Sequence, residues 1–84
     1  MDEAPPFAPP RKRSVTIAGH ETSIALEPIF WSALEQAAAG ERLPLNALIA
    51  RIDAGRLEHS PAPNLASAIR QWLLVRTAAG KSAG

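Results

Sequence analysis

Apolar residues recur along this chain in two rhythms, and the change between them marks where strands give way to helices. Over residues 14–18 polar and apolar side chains alternate (Ser14, Val15, Thr16, Ile17, Ala18), and over 22–26 they alternate again less strictly (Thr22, Ser23, Ile24, Ala25, Leu26). Both runs carry β-branched residues at period two, the pattern of a strand with one covered face. Gly19, His20 and Glu21 lie between them. They predict either a hairpin turn or a kink in one longer strand, and the hairpin is preferred.

The period then lengthens. Pro28 suits the first turn of a helix over 28–39, which places Phe30, Leu34, Ala37 and Ala38 on one face with Trp31 at its margin. Gly40 reads as its C-terminal cap. A second helix over 44–56 sets Leu45, Leu48, Ile49 and Ile52 at i, i+3, i+4 and i+7. Pro61 and Pro63 break the pattern, and Asn64 is a good N-cap for a third helix over 65–78. There Leu65, Ala68, Ile69, Trp72 and Leu73 repeat the spacing, while Leu74 and Val75 widen the apolar arc. So apolar a surface is expected to dock on the first two helices or on a partner chain.

Length changes this picture by making it marginal. The chain has 84 residues, and four of its eight prolines fall in the first ten. Residues 1–10 and 79–84 are therefore expected to be tails, which leaves 11–78 as the domain. A domain of roughly 60 residues buries only about 60% of its unfolded surface and needs a further source of stability. Cysteine is absent, which excludes disulfides and thiolate metal sites. His20 and His59 lie far apart with no paired ligand spacing, so neither metal nor cofactor is expected. Oligomerisation remains. A lone strand or hairpin needs a partner for its backbone groups and its apolar face, and a copy across a two-fold axis would supply both. The expected fold is mainly α with a β-ribbon: an intertwined homodimer sharing its sheet, with an additional C-terminal helix. Val15, Ile17, Ile24, Leu26, Leu48, Ile49 and Ile52 are its expected dimer core.

Charge excludes some functions and localises others. The net charge is +1, so no uniform basic footprint exists and any case for nucleic acid rests on local clustering. No apolar run approaches the roughly 18 residues that span a membrane, and the N-terminus lacks the apolar stretch of a signal peptide. A cytoplasmic protein is expected. There is no nucleophile–base pairing, no Gly-rich phosphate loop and no carboxylate pair on one helix face, so an enzyme is not expected. Asp53 and Glu58, though close in sequence, fall at a helix end and in a Pro-rich break.

The stretches RSVTIAGH (13–20), TSIALE (22–27), FWxxL (30–34) and LNALIARID (45–53) resemble a bacterial ribbon-helix-helix domain family. That family looks like a branch of the superfamily that includes the methionine repressor and small plasmid and phage repressors. The resemblance covers residues 11 to about 76. It implies a homodimer with a two-stranded ribbon that enters the DNA major groove, and a second helix whose start holds a backbone phosphate. The chain departs from the family's pattern at Glu21, where a basic residue is usual.

With that fold in view, particular residues become candidates. Arg11, Lys12 and Arg13 form a basic cluster before the first strand, which reads either as a flexible arm for phosphates or as a solubilising guard beside a β-prone segment. Period two sends Lys12, Ser14 and Thr16 outward on the first run, and Glu21, Ser23 and Ala25 outward on the second. Ser14, Thr16 and Ser23 are the candidates for base edges, and Glu21 can at best accept from a cytosine amino group. His20 offers either a phosphate contact or a structural hydrogen bond. At the second helix Pro44 donates no hydrogen, which leaves the amides of Leu45 and Asn46 for a phosphate or for water. Trp31 and Trp72 read as core or interface anchors, and Arg51, Arg56, Arg70 and Arg76 as helix-surface charges. The expectation is a dimeric transcriptional regulator whose partners are itself and double-stranded DNA. The alternative is an antitoxin-like protein-interaction module, with a protein partner on the C-terminal helix.

Overall fold

The computed structural model describes residues 7–80. Of the two expected tails, residues 1–6 and 81–84 lie outside the described residues, and residues 7–10 carry no regular structure. Strands β1 (Arg11–Ile17) and β2 (His20–Leu26) pair antiparallel in a register that runs from Ile17 opposite His20 to Arg11 opposite Leu26. Ala18 and Gly19 alone join them, both at positive φ (51° and 82°). That is the backbone of a type I′ turn, whose twist matches the twist of the strands it connects. Gly19 adopts it without cost, and Ala18 is held in it by the hairpin. His20 and Glu21, expected in the connection, belong to β2 instead.

The hairpin changes the argument for a dimer. Each strand's pairing requirement is met inside one chain, so the shared two-fold ribbon is not needed to satisfy it. Two edges of the small sheet nevertheless stay open.

Helix α1 spans Pro28–Glu41 and passes through Gly40 rather than stopping there. The chain leaves the helix at Arg42, left-handed at φ 58°. Arg42 donates its N–H to the Ala39 carbonyl (3.1 Å) and Leu43 donates to Ala38 (2.9 Å). This is a Schellman closure with arginine in the usual glycine place. Gly40 serves a different purpose, since a Cβ there would stand 3.1 Å from Arg76 Nη2. The missing side chain leaves room for Arg76 of α3 (Leu65–Ala78), which donates to Glu41 Oε2 at 2.6 Å and covers the Trp72 ring at 5.6 Å. Helix α2 spans Leu45–Arg56. At the head of α3 the Asn64 carboxamide oxygen accepts from the Ser67 N–H at 2.8 Å, the cap that its sequence position predicted.

One core joins the hairpin to all three helices, with Leu26, Leu34, Leu48, Ile49 and Ile69 fully buried. All seven residues expected to form a dimer core lie in this cluster, closed within a single chain. On α1 the expected order is reversed: Trp31 goes inside and Phe30 stays half-buried. The Trp31 indole N–H donates to the Arg11 carbonyl at 2.8 Å, so burial of the ring leaves no polar atom unmet. On α3 Ile69 and Leu73 are buried, but Leu74 and Val75, expected to be covered, are 70% and 68% exposed. Arg70 ties α3 to the end of β2 by donating to Glu27 Oε1 (3.0 and 3.2 Å) while lying over Phe30. The Glu27 carboxyl sits below its ordinary range, chiefly because its own backbone N–H bonds it, with Arg70 adding to the effect against a partial desolvation. Among the described residues no helix is long and apolar enough to cross a membrane.

Candidate nucleic-acid interface

Residues directly opposite one another in an antiparallel pair share a face of the sheet. The register therefore sorts the hairpin into two sets. Val15, Ile17, Ile24 and Leu26 point at the helices and are buried. The other face carries three cross-strand pairs: Lys12 with Ala25, Ser14 with Ser23, and Thr16 with Glu21. Five of these six side chains are exposed and Ala25 is half-buried. Among the described residues no ion pair or side-chain hydrogen bond engages any of them. The two outward sets that the sequence placed on separate runs thus form one surface, with hydroxyls at its centre, a cation at one end and an anion at the other.

The basic cluster is not a flexible arm. Arg11, Lys12 and Arg13 are the first three residues of β1, so they alternate between faces. Only Lys12 reaches the outer surface. Arg13 has the parity of Val15, and its guanidinium lies 4.5 Å from the Trp31 ring centroid with Nη1 3.0 Å from Glu35 Oε2. A cation over tryptophan contributes about 0.5–1 kcal/mol at an exposed site, and the ion pair, 38% and 53% exposed, adds little. Their effect is to hold the arginine against α1. Arg11 is exposed at the open end of the strand, and its carbonyl is taken by Trp31. The signal that separates the three was present in the sequence, since Arg13, Val15 and Ile17 share parity.

His20 also falls away from the outer surface. It stands opposite Ile17, on the inner-face parity, at the mouth of a groove of about 390 Å3 that Thr22, Asp53, Arg56 and Asn64 help to line. Arg56 closes one wall by donating to Asp53 Oδ1 (2.6 and 2.9 Å) and to the Pro63 carbonyl (3.1 Å).

The start of α2 has the form expected. Pro44 is the N-cap, and its carbonyl accepts from Ala47 (3.0 Å) and Leu48 (3.1 Å). No side chain caps this end, and the N–H groups of Leu45 and Asn46 have no acceptor among the described residues. Two donors are thus free at the positive end of a twelve-residue helix. They belong to the helical layer behind the hairpin, not to its outer face.

A second open surface lies between α2 and α3, a groove of about 410 Å3 over Ile52, Gly55, Ala68, Trp72 and Val75 with Arg51 on its rim. Its size and its exposed Val75 were not foreseen.

No curated protein and no solved structure matches the chain. Residues 10–77 match the family profile described as a ribbon-helix-helix domain.

Proposed function

Because the chain belongs to the ribbon-helix-helix domain family, whose members are generally non-enzymatic DNA-binding modules, we propose that it is a small dimeric DNA-binding regulator. It presents the outer face of its hairpin to the major groove. The observation that carries this reading is that face itself: five exposed polar side chains on one face of an antiparallel ribbon, with no side-chain hydrogen bond or ion pair among the described residues.

The open edge of β2 supports the dimer. In a hairpin closed by two residues, Ile17 and His20 exchange hydrogen bonds, and every second pair after them does so too. The N–H and C=O groups of Glu21, Ser23 and Ala25 therefore point away from β1. A second copy added antiparallel, with Ser23 opposite its own counterpart, satisfies all three residues on both chains. The result is a four-stranded sheet with the two β2 strands at its centre. Its outer strands stand about 14 Å apart, wider than a major groove of about 12 Å. The central strands then meet base edges, with Ser23 on the dyad. Lys12, Ser14 and Thr16 on the flanking β1 strands face the phosphates instead. Hydroxyls and ammonium groups are common phosphate donors. The Leu45 and Asn46 amides add a helix N-terminus for a further phosphate.

Fluorescence anisotropy with labelled duplex in a salt series tests the proposal. Binding should weaken steeply between about 50 and 200 mM salt, and Lys12→Ala should lower the slope by about one per chain. Absence of salt-dependent binding to any duplex would sink it.

A second reading, a protein-interaction module of antitoxin type, is favoured by the exposed Leu74 and Val75 on α3. Under it, the double variant Leu74→Asp, Val75→Asp abolishes association with a protein partner and leaves duplex affinity unchanged. Equal loss of both would place α3 in the DNA-binding unit.

A further inference from the structure

The outer face of the hairpin carries a single anion, Glu21, and nothing in the described chain neutralises it. Glu21 is exposed opposite Thr16, next to the turn. The one cation on this face, Lys12, stands opposite Ala25 at the other end of the ladder. Four residues of strand separate the two positions, about 13 Å, and charges exposed to water are screened over about 8 Å at physiological ionic strength. Within one chain the carboxylate therefore stands apart from that cation, and in the β2–β2 dimer Lys12 of the partner subunit stands two strands away, about 10 Å.

An exposed carboxylate on a DNA-facing surface rejects phosphate. It also rejects most of the major-groove code: guanine shows it two acceptors, N7 and O6, thymine shows O4, and adenine sets its N6 amino group beside the N7 acceptor. Cytosine offers the N4 amino group as a donor, which a carboxylate accepts well. We propose that Glu21 is a specificity-determining residue that reads a cytosine amino group and suppresses binding elsewhere; this rests on the DNA-binding reading above. The anion lowers affinity for random sequence, and the cytosine contact restores it at the right site. Discrimination thus arises from rejection of wrong partners as much as from attraction to the right one.

The β2–β2 register sharpens this into a spacing. With Ser23 opposite its counterpart, Glu21 of one copy lies opposite Ala25 of the other, and the two Glu21 positions stand about 14 Å apart. At a rise of about 3.4 Å per base pair, the two cytosines lie on opposite strands, inverted about the dyad, at most about four base pairs from one another.

Selection from a randomised duplex pool, followed by anisotropy on the selected and a scrambled site, tests the assignment. Wild type should enrich cytosine at one dyad-related position, and replacing that base by an analogue without its amino group should cost about tenfold in affinity. Glu21→Ala should lose the cytosine preference and bind the scrambled duplex several-fold more tightly. Glu21→Gln should shift the preference toward adenine, which pairs with a carboxamide through N6 and N7. The residue is exposed, so circular dichroism should show all three proteins equally folded. A cytosine preference that survives in Glu21→Ala overturns the proposal, as does wild-type binding with no cytosine preference. Failure of all three proteins to bind any duplex overturns the DNA-binding reading itself and this assignment with it.

Discussion

On the inner face of the hairpin Val15, Ile17, Ile24 and Leu26 are at most 9% exposed. A cation of that parity, Arg13, is held by Trp31 and Glu35. On the outer face, one residue along in each case, Lys12, Ser14, Thr16, Glu21 and Ser23 are exposed and make no side-chain hydrogen bond or ion pair among the described residues. Period two thus divides the hairpin residue by residue: neighbours in sequence belong to different surfaces, one packed in the core and one open to solvent. A charge cluster read as three adjacent residues conceals this division, and the same cluster read by parity reveals it.

If the two faces are energetically independent, inner substitutions should move stability and outer ones should move affinity alone. The largest effect is expected at Leu26, fully buried beneath the helices. Leu26→Ala should cost about 2–5 kcal/mol by urea denaturation, enough to unfold much of so small a domain. A loss below about 1 kcal/mol would mean that the hairpin is not fixed to the core. Next comes Trp31→Phe, which removes the indole donor to the Arg11 carbonyl and weakens the platform under Arg13. A loss of about 1–2 kcal/mol is expected, with Lys12→Ala unchanged as its control.

Acid should separate the faces by a gentler means. The folded-state pKa of Glu27 lies below its ordinary value of 4.5, so its carboxylate stabilises the fold above that value, and this contribution is lost as pH falls through the folded pKa. Urea midpoints measured downward from neutral pH should decline in that window, and Arg70→Ala should flatten the decline in part. The smallest change in stability is expected on the outer face, where Ser23→Ala and Lys12→Ala should each stay within about 0.5 kcal/mol of wild type. If either destabilised the fold by more, the independence of the faces would fail.

Much of the fold was legible because its signals are local. Pro44, Asn64 and the stripe through Leu45, Leu48, Ile49 and Ile52 mark α2 and the head of α3, and alternation around Gly19 favoured the hairpin. Three misreadings in the helices share a cause: each depended on something distant in sequence. Gly40 looks like a cap until Arg76 is seen approaching it from α3. Trp31 and Phe30 are equally apolar, and what decides between them is that the Arg11 carbonyl can accept from one and not the other. Leu74 and Val75 widen an apolar arc whose inner part alone meets α1 and α2. At the candidate interface the outward set was readable from period two, but its unity was not, because only the pairing of β1 with β2 brings Ser14 beside Ser23 and Thr16 beside Glu21.

The two-residue turn at Ala18 and Gly19 has a consequence in time as well as in shape. Every rung of the ladder joins residues near in sequence, Arg11 with Leu26 being the most distant pair, and such hairpins close within about 1–10 μs. A ribbon built from one strand of each chain would wait for two unfolded chains to collide, at a rate that falls as the protein is diluted. Here the outer face of the hairpin forms by a first-order process inside a single chain. At low copy number the outer face of each hairpin is complete before a second copy arrives, and concentration governs only how many such faces are joined.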